Sequence, residues 1–497
     1  MSPGALQDSW DVLKGGAANL FGLVARTGGR LIFVLIAGNL YGAAAFGRYY
    51  YLLAVIEVLA AIAVFGMKRA LFAFGDGKDA DTGVFERAIL HALALCLGLA
   101  AVLAGILYIV WPLTNLPQGT VWLPAMAALV PMIALSDVTL AATRYRRQMR
   151  YQVLARSIAE PWSLAAFAAL AYVGGLGADG LFLAYAGSIL VAVLFSLWGF
   201  SRLFSAGRVL GAGFSGRFLR TMVATAAPTM ANEFLNGFLR RLDVIILRLF
   251  AADAVLGVYG MAKELATNTQ KTRSIFAPIV APVSAQSLAA GRADTLADLL
   301  SQVCRWVFTI QLLQLAAFAL FAAALLSLFG DGMTAGALAL TILVAAEVIE
   351  GSFFMSEYSI VYGRPNWTPV ITGLGAATIA GFAAALAPGL GAVGAALAVL
   401  YGFTVLSFFR LMASRHITGK PILRARFLKP LAAALVAGAV VLGIGQFTGF
   451  DLRQGPAALA GLAILTVSFV VAVFALGISA EDRALYAALR QRSPAAG

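Results

Sequence analysis

The chain has 497 residues, 61% of them hydrophobic and 12% charged, with a formal net charge of +13 and a mean hydropathy of +0.89. A soluble domain carries about a quarter charged residues, so this composition excludes one and predicts an all-α polytopic membrane protein. The two cysteines (Cys96, Cys304) imply no disulfide framework, and two histidines (His91, His416) are too few for a His/Cys metal centre.

In chain order, the opening MSPGALQDSWDVLK has no basic n-region followed by a short apolar run and cleavage site, which predicts no cleaved signal peptide. Apolar runs of about 20 residues then predict about fourteen transmembrane helices. They cover 15–40, 46–72, 86–111, 120–143, 151–174, 180–203, 217–250, 254–285, 298–328, 334–362, 366–387, 391–413, 429–447 and 456–477. Between them 26 of the 36 lysines and arginines fall in the N-tail, the even-numbered loops or the C-tail. Arg144, Arg156 and Arg410 are placed in this group, as are Lys14, Lys78, Arg483, Arg490 and Arg492. Such a bias predicts both termini in the cytoplasm and an even number of crossings. It also ties the excess charge to loops rather than to nucleic acid. The basic loops 144–156 and 415–429 suit anionic lipid headgroups or a docked glycosyltransferase.

A repeat organises the spans. LIAGNLYGAAAFGRYYYLLAV (35–55) matches ILRLFAADAVLGVYGMAKELA (246–266), with Gly47 on Gly257, Tyr49 on Tyr259 and Arg30 on Arg240. Six predicted helices separate the copies, so both halves face the same way, as in a parallel duplication about the membrane normal. The expected domains are an N-lobe over 1–203, a cytoplasmic linker over 204–216 and a C-lobe over 217–413. Residues 414–497 hold two further helices and a tail.

An ionisable group at bilayer depth faces a bundle interior or a wet cavity, which makes the intramembrane charges the candidate site. Arg26 and Arg30 are four apart and share a face. Either Arg30 pairs with Glu57, or both guanidiniums line a cavity and grip phosphate through their planar forks. On 217–250, helical spacing puts Asn232, Glu233, Asn236, Arg240 and Asp243 in one quadrant, with Arg241 and Arg248 elsewhere. On 254–285, Lys263, Thr267, Gln270, Lys271 and Ser274 share a face. The expected cationic substrate site is Arg26, Arg30, Arg240, Lys263 and Lys271. Glu57, Glu233, Asp243, Glu347, Glu350 and Glu357 are expected to balance charge or to couple a cation. Asp137 is expected near Arg144, a kink at Glu160-Pro161, and an interfacial belt at Tyr49, Tyr50, Tyr51 and Trp111. Gly38-x-x-x-Gly42 and Gly391-x-x-Gly394 permit close helix contact. No P-loop, HExxH, nucleophile elbow or dinucleotide fingerprint occurs, so neither an enzyme nor a cofactor is expected.

The stretch NLFGLVARTGGRLIFVLIAGNLYGAAAFGRYYYLLAVIEVLAAIAVFGMKRAL resembles the opening of bacterial polysaccharide-export flippases. These are the Wzx-type O-antigen transporters of the multidrug/oligosaccharidyl-lipid/polysaccharide superfamily. The resemblance rests on an arginine in the first helix, on Gly42, Phe46, Gly47 and Tyr49, and on the Phe65-Gly66 close. Arg241, Asp243, Gly257, Tyr259, Ala262 and Leu265 are similar to the family's second-lobe pattern. The resemblance implies two six-helix lobes around a cationic cavity and a polyprenyl-pyrophosphate-linked oligosaccharide as substrate. It also implies a bacterial inner-membrane location, a role in lipopolysaccharide O-antigen or exopolysaccharide production, and polymerase or export machinery as partners. Two rivals in the same fold, a lipid II flippase and a drug/cation antiporter, stay open. The antiporter fits less well, since the first helix carries two arginines and no acid.

Overall fold

Backbone polar groups in hydrocarbon must be paired within the chain. In this computed structural model, which describes residues 21–74, 83–111 and 123–476, helices do that pairing and no strand occurs among the described residues. Lys14, Lys78, Arg483, Arg490, Arg492 and the first turns of the predicted 15–40 helix lie outside the described residues. Among the described residues, ten helical stretches are long and apolar enough to cross a membrane. Two of them, Phe21–Ala73 and Trp367–Thr418, span 53 and 52 residues, each enough for two crossings at about 20 residues apiece.

Both long stretches fold back. The Phe33 and Tyr49 rings lie 5.3 Å apart between centroids, whereas a straight helix would separate their positions by about 24 Å. The turn comes after a π-helical segment, Ala37–Tyr41, at Gly42 with φ +77°. In the second stretch Gly391 adopts φ 53°, ψ −126°, a conformation open essentially to glycine. Beyond it, a Cβ on Gly394 would lie 2.4 Å from the carbonyl oxygen of Leu386.

The two spans expected over 217–250 and 254–285 are not continuous. The first divides into Gly216–Leu239 and Leu242–Phe250, with Arg240 and Arg241 in the break. The second runs as Asp253–Ala266, a 3₁₀ turn over Thr267–Gln270, Lys271–Ser274 and Ala277–Ala289. Asn and Thr side chains compete for backbone hydrogen bonds and weaken a helix interior. Here Asn268 donates to the carbonyls of Glu264 and Leu265. One helical wheel therefore does not apply across either break. The faces expected to unite Asn236, Arg240 and Asp243, and Lys263 with Lys271, are corrected accordingly.

The chain forms two compact units, the first holding Met1–Met261, Leu328–Met333 and Ile379–Ala398, the second the remainder. In unit 1, Gly180–Ser201 packs against Glu160–Val173 and Leu123–Tyr145, and the latter packs against Val84–Val110 and Gly42–Val64. The 204–216 segment is fastened to Val84–Val110. Arg87 Nε donates to the Ala212 carbonyl at 3.0 Å, and buried His91 accepts at Nε2 from the Ser215 amide at 2.8 Å.

The two matched segments cross each other within unit 1. A Cβ on Gly47 would lie 1.9 Å from the Asp253 carbonyl oxygen, and one on Gly257 would lie 1.8 Å from that of Ala43. Ala43 and Asp253 are related by the same offset as Gly47 and Gly257, so the contact is reciprocal about a local two-fold. Tyr49 and Tyr50 are buried beside it, 2% and 1% exposed. That corrects the belt expected there: Tyr50 packs on Gly260, and Tyr49 against Phe33, Phe46 and Tyr185.

In unit 2, Ala293–Ser327 packs against Ala337–Phe353 and against the paired helices Leu428–Thr448 and Ala457–Ala475. Leu312, Phe321, Ala437, Val441, Leu465 and Phe469 form the seam of that last contact.

Candidate functional site

The candidate site in unit 1 starts from two glycines on residues 21–36. Gly22 packs on Val153 and Ser157, and Gly29 packs on Pro161 and Trp162. Their missing side chains let the Arg26/Arg30 helix lie against residues 153–162, where Trp162 Nε1 donates to the Ala25 carbonyl at 3.1 Å. Residues Val153–Ala159 form a π-helix, a form common at functional sites. In π register the carbonyl of Arg156 would pair with the N–H of residue 161, but Pro161 has none. That carbonyl accepts from Arg26 Nε instead, at 3.2 Å. The kink expected at Glu160-Pro161 thus takes the form of a widened turn that holds Arg26.

Charge counting puts Arg156 in a cytoplasmic loop; the structure instead places its side chain among acidic partners, 16% exposed. Its guanidinium bridges Asp137 at 2.6 Å and Glu160 at 2.8 Å. Asp137 also meets Lys68 at 2.6 Å, which corrects the expected Asp137–Arg144 pair. Lys68 is brought in by the αL residues Phe65 and Gly66, which redirect the chain into Met67–Ala73. These groups line a cavity of about 420 Å³ together with Arg26, Arg30, Glu57, Gln152 and Tyr185.

Glu57 is ion-paired with Arg241, whose Nη1 also donates to the Tyr50 hydroxyl at 3.5 Å. Of the lining residues four are basic and three acidic, and Arg241 adds a base through Glu57. The formal surplus is two positive charges. Such a surplus at bilayer depth costs several kcal/mol unless an anion joins it, so this arrangement can hold a dianion.

The other expected residues divide between the units. In unit 1, half-buried Arg240 caps Gly216–Leu239, and the lining of the cavity does not include it. Glu233 pairs with Arg69 at 3.0 Å. Fully buried Asp243 accepts from the Tyr259 hydroxyl. Arg248 is bound to Asp253 at 3.2 Å.

In unit 2, Lys263 is buried, and Lys271 donates to Asn268 Oδ1 at 2.5 Å. Glu347 accepts from Gln270 at 2.7 Å. Glu350 takes Arg273 on one oxygen and Arg410 on the other, the latter at 3.1 Å, and Arg410 reaches Glu357 at 2.5 Å. The Phe354 ring receives both guanidiniums, 4.0 Å from Arg273 and 5.2 Å from Arg410. Arg410, counted as a loop charge in the sequence, is 2% exposed. Lys68, Asp137, Arg156 and Glu160 escaped the candidate list. The Arg156/Glu160 i,i+4 pair inside an apolar span was the signal that pointed to them.

A family model described as polysaccharide biosynthesis protein matches residues 12–288. Among curated proteins none matches the chain. The chain is similar to the lipid II flippase MurJ in an inward closed conformation, with TM-score 0.73 and 12% identity over 93% of this chain and 98% of that one. It is similar to an inward-facing multidrug resistance MATE family transporter of the MOP superfamily, with TM-score 0.67 and 17% identity over 80% and 94%. A MOP superfamily transporter from Pyrococcus furiosus, described as having a binding pocket of reverse polarity, gives TM-score 0.53 and 17% identity over 82% and 95%. These likenesses establish the fold, and the family model covers more than half of the sequence. The chain is a multi-pass membrane protein with the fold of the MOP superfamily, and it belongs to the polysaccharide biosynthesis protein family.

Proposed function

We propose that the protein is a flippase that moves undecaprenyl-pyrophosphate-linked oligosaccharide from the cytoplasmic to the periplasmic leaflet of a bacterial inner membrane. It crosses the membrane fourteen times with both termini in the cytoplasm, and works by alternating access without chemical catalysis. The observation that carries this reading is the surplus of two positive charges around the unit 1 cavity, which equals the charge of a pyrophosphate diester. Arg26 and Arg30 grip the two phosphates. Arg240, Lys263 and Lys271 supply further cationic contacts along the path. The polyprenyl tail stays in lipid while the bases replace the water of the headgroup. The product feeds O-antigen or exopolysaccharide polymerisation and export.

The likeness to MurJ favours a second reading, in which the same charges carry lipid II. An antiporter for organic cations fits less well. Asp137, Glu160 and Glu57 reach the cavity, but each is already held by Lys68, Arg156 or Arg241.

The test is a leaflet assay in proteoliposomes with fluorescent undecaprenyl-pyrophosphate oligosaccharide, with lipid II as competitor. Arg26→Ala and Arg30→Ala should each slow translocation at least tenfold while the protein stays folded, because each leaves a phosphate without its charged partner. Unchanged transport in both would remove the site. Faster flipping of lipid II would favour the second reading, and pH-driven efflux of organic cations without lipid transport would favour the antiporter.

A further inference from the structure

Outside the cavity, unit 1 carries a second cationic feature, on its exterior. Along Gly180–Ser201, Leu190, Leu194 and Trp198 recur every four residues and are 48%, 57% and 45% exposed. They form one stripe, and Arg202 continues it by one more turn. From Leu190 to Arg202 the stripe rises about 18 Å, close to the roughly 15 Å of hydrocarbon in one leaflet. At its polar end Tyr151 lies flat against the helix because position 199 is glycine; a Cβ there would be 2.6 Å from Tyr151 Cγ. The Tyr151 and Trp198 rings meet edge to face, with centroids 5.4 Å apart.

Two arginines flank that aromatic pair. Arg150 lies 4.8 Å from the Tyr151 ring centre and donates to its hydroxyl at 3.0 Å, and Arg202 lies 5.9 Å from the Trp198 ring centre. Both are exposed, and neither is ion-paired with a carboxylate among the described residues. Segments 144–152 and 196–208 contain no Asp or Glu at all.

We propose that this platform is a binding site for an anionic phospholipid of the bilayer. The phosphodiester lies between Arg150 and Arg202, the glycerol region against Tyr151 and Trp198, and an acyl chain along Leu194 and Leu190. Charge selects the headgroup, since a zwitterionic lipid brings its own cation to two arginines. The stripe selects a lipid over a soluble anion, because it continues the polar platform into the hydrocarbon. Aromatic rings with a polar rim belong at that depth, and guanidiniums seated on rings bind phosphate with little loss of side-chain freedom.

The full chain in detergent would be titrated with phosphatidylglycerol or phosphatidylcholine of matched acyl chains, and bound lipids counted by native mass spectrometry. Wild type should prefer phosphatidylglycerol. Arg150→Gln with Arg202→Gln should weaken phosphatidylglycerol roughly tenfold to thirtyfold and leave phosphatidylcholine unchanged. Arg208→Gln with Arg217→Gln, exposed arginines outside the Arg150–Arg202 pair that sits on the two rings, should behave as wild type. An independent reading is tryptophan quenching by brominated phosphatidylglycerol, of which Trp198→Phe should remove a component that brominated phosphatidylcholine does not produce. Equal binding in the Arg150/Arg202 pair, an equal loss in the Arg208/Arg217 pair, or displacement of the lipid by inorganic phosphate alone would each overturn the site.

Discussion

Gly47 and Gly257 show how much can hang on a missing side chain. Each faces a backbone carbonyl at a distance where a Cβ cannot fit, and a rigid helix crossing relieves such a clash only by moving apart. Gly47→Ala and Gly257→Ala should each cost about 1–3 kcal/mol, the range for overpacking, read as a lowered midpoint of thermal unfolding in detergent. Gly98, which has nothing within 4 Å of its would-be Cβ, should tolerate alanine. Charged residues follow a different logic. Glu350 serves Arg273 and Arg410 together, so Glu350→Gln takes a counter-charge from half-buried Arg273 and leaves buried Arg410 with Glu357 alone as its carboxylate. About 3–5 kcal/mol should be lost. Glu233→Gln removes only a pair with 70%-exposed Arg69 and should cost about 1 kcal/mol or less. Comparing the two melting curves separates buried from exposed pairing.

At the scale of elements, interruptions in helices place the charges. The π-helical turn over Val153–Ala159, followed by Pro161, presents the Arg156 carbonyl to Arg26 and turns the Arg156 guanidinium toward Asp137 and Glu160. The 3₁₀ turn at Thr267–Gln270 has a counterpart at Phe354–Ser356 on the helix opposite, and between them lie the Gln270–Glu347 and Arg273–Glu350 contacts. Interrupted helices at membrane depth are a recurring way to build transport sites. Hydropathy reports the length and apolar character of these spans well. It assumes one continuous helical phase, and so it misplaces side chains beyond each break. That is why the faces inferred for Arg240 with Asp243, and for Lys263 with Lys271, did not carry over.

For the whole molecule, the proposed cargo is anionic and the cytoplasm is electrically negative, so outward transfer gains about 2.3 kcal/mol per charge per 100 mV. If the headgroup crosses with its charge uncompensated, an inside-negative potassium-diffusion potential imposed on proteoliposomes should speed translocation. Reversing its sign should slow it, with no added ion gradient. Rates indifferent to potential would mean that a cation travels with the lipid, or that the rate-limiting step moves no net charge.

The membrane class and the positions of most spans were legible in the chain. Both rest on hydrophobic length, a property that adds up along the sequence. Arg26, Arg30 and Glu57 were legible too, since an isolated charge in an apolar run is visible without neighbours. The identity of their partners was not. Arg241, a residue the sequence leaves without a stated partner, meets Glu57, and Lys68 and Arg156 rather than Arg144 meet Asp137. Ion pairing depends on where turns such as Phe65-Gly66 and the π-helical segment aim a side chain. Differences of a few ångströms decide it, and only tertiary packing sets them. The same holds for Tyr49 and Tyr50, whose composition suits a membrane interface but whose glycine-lined neighbours draw them into the core.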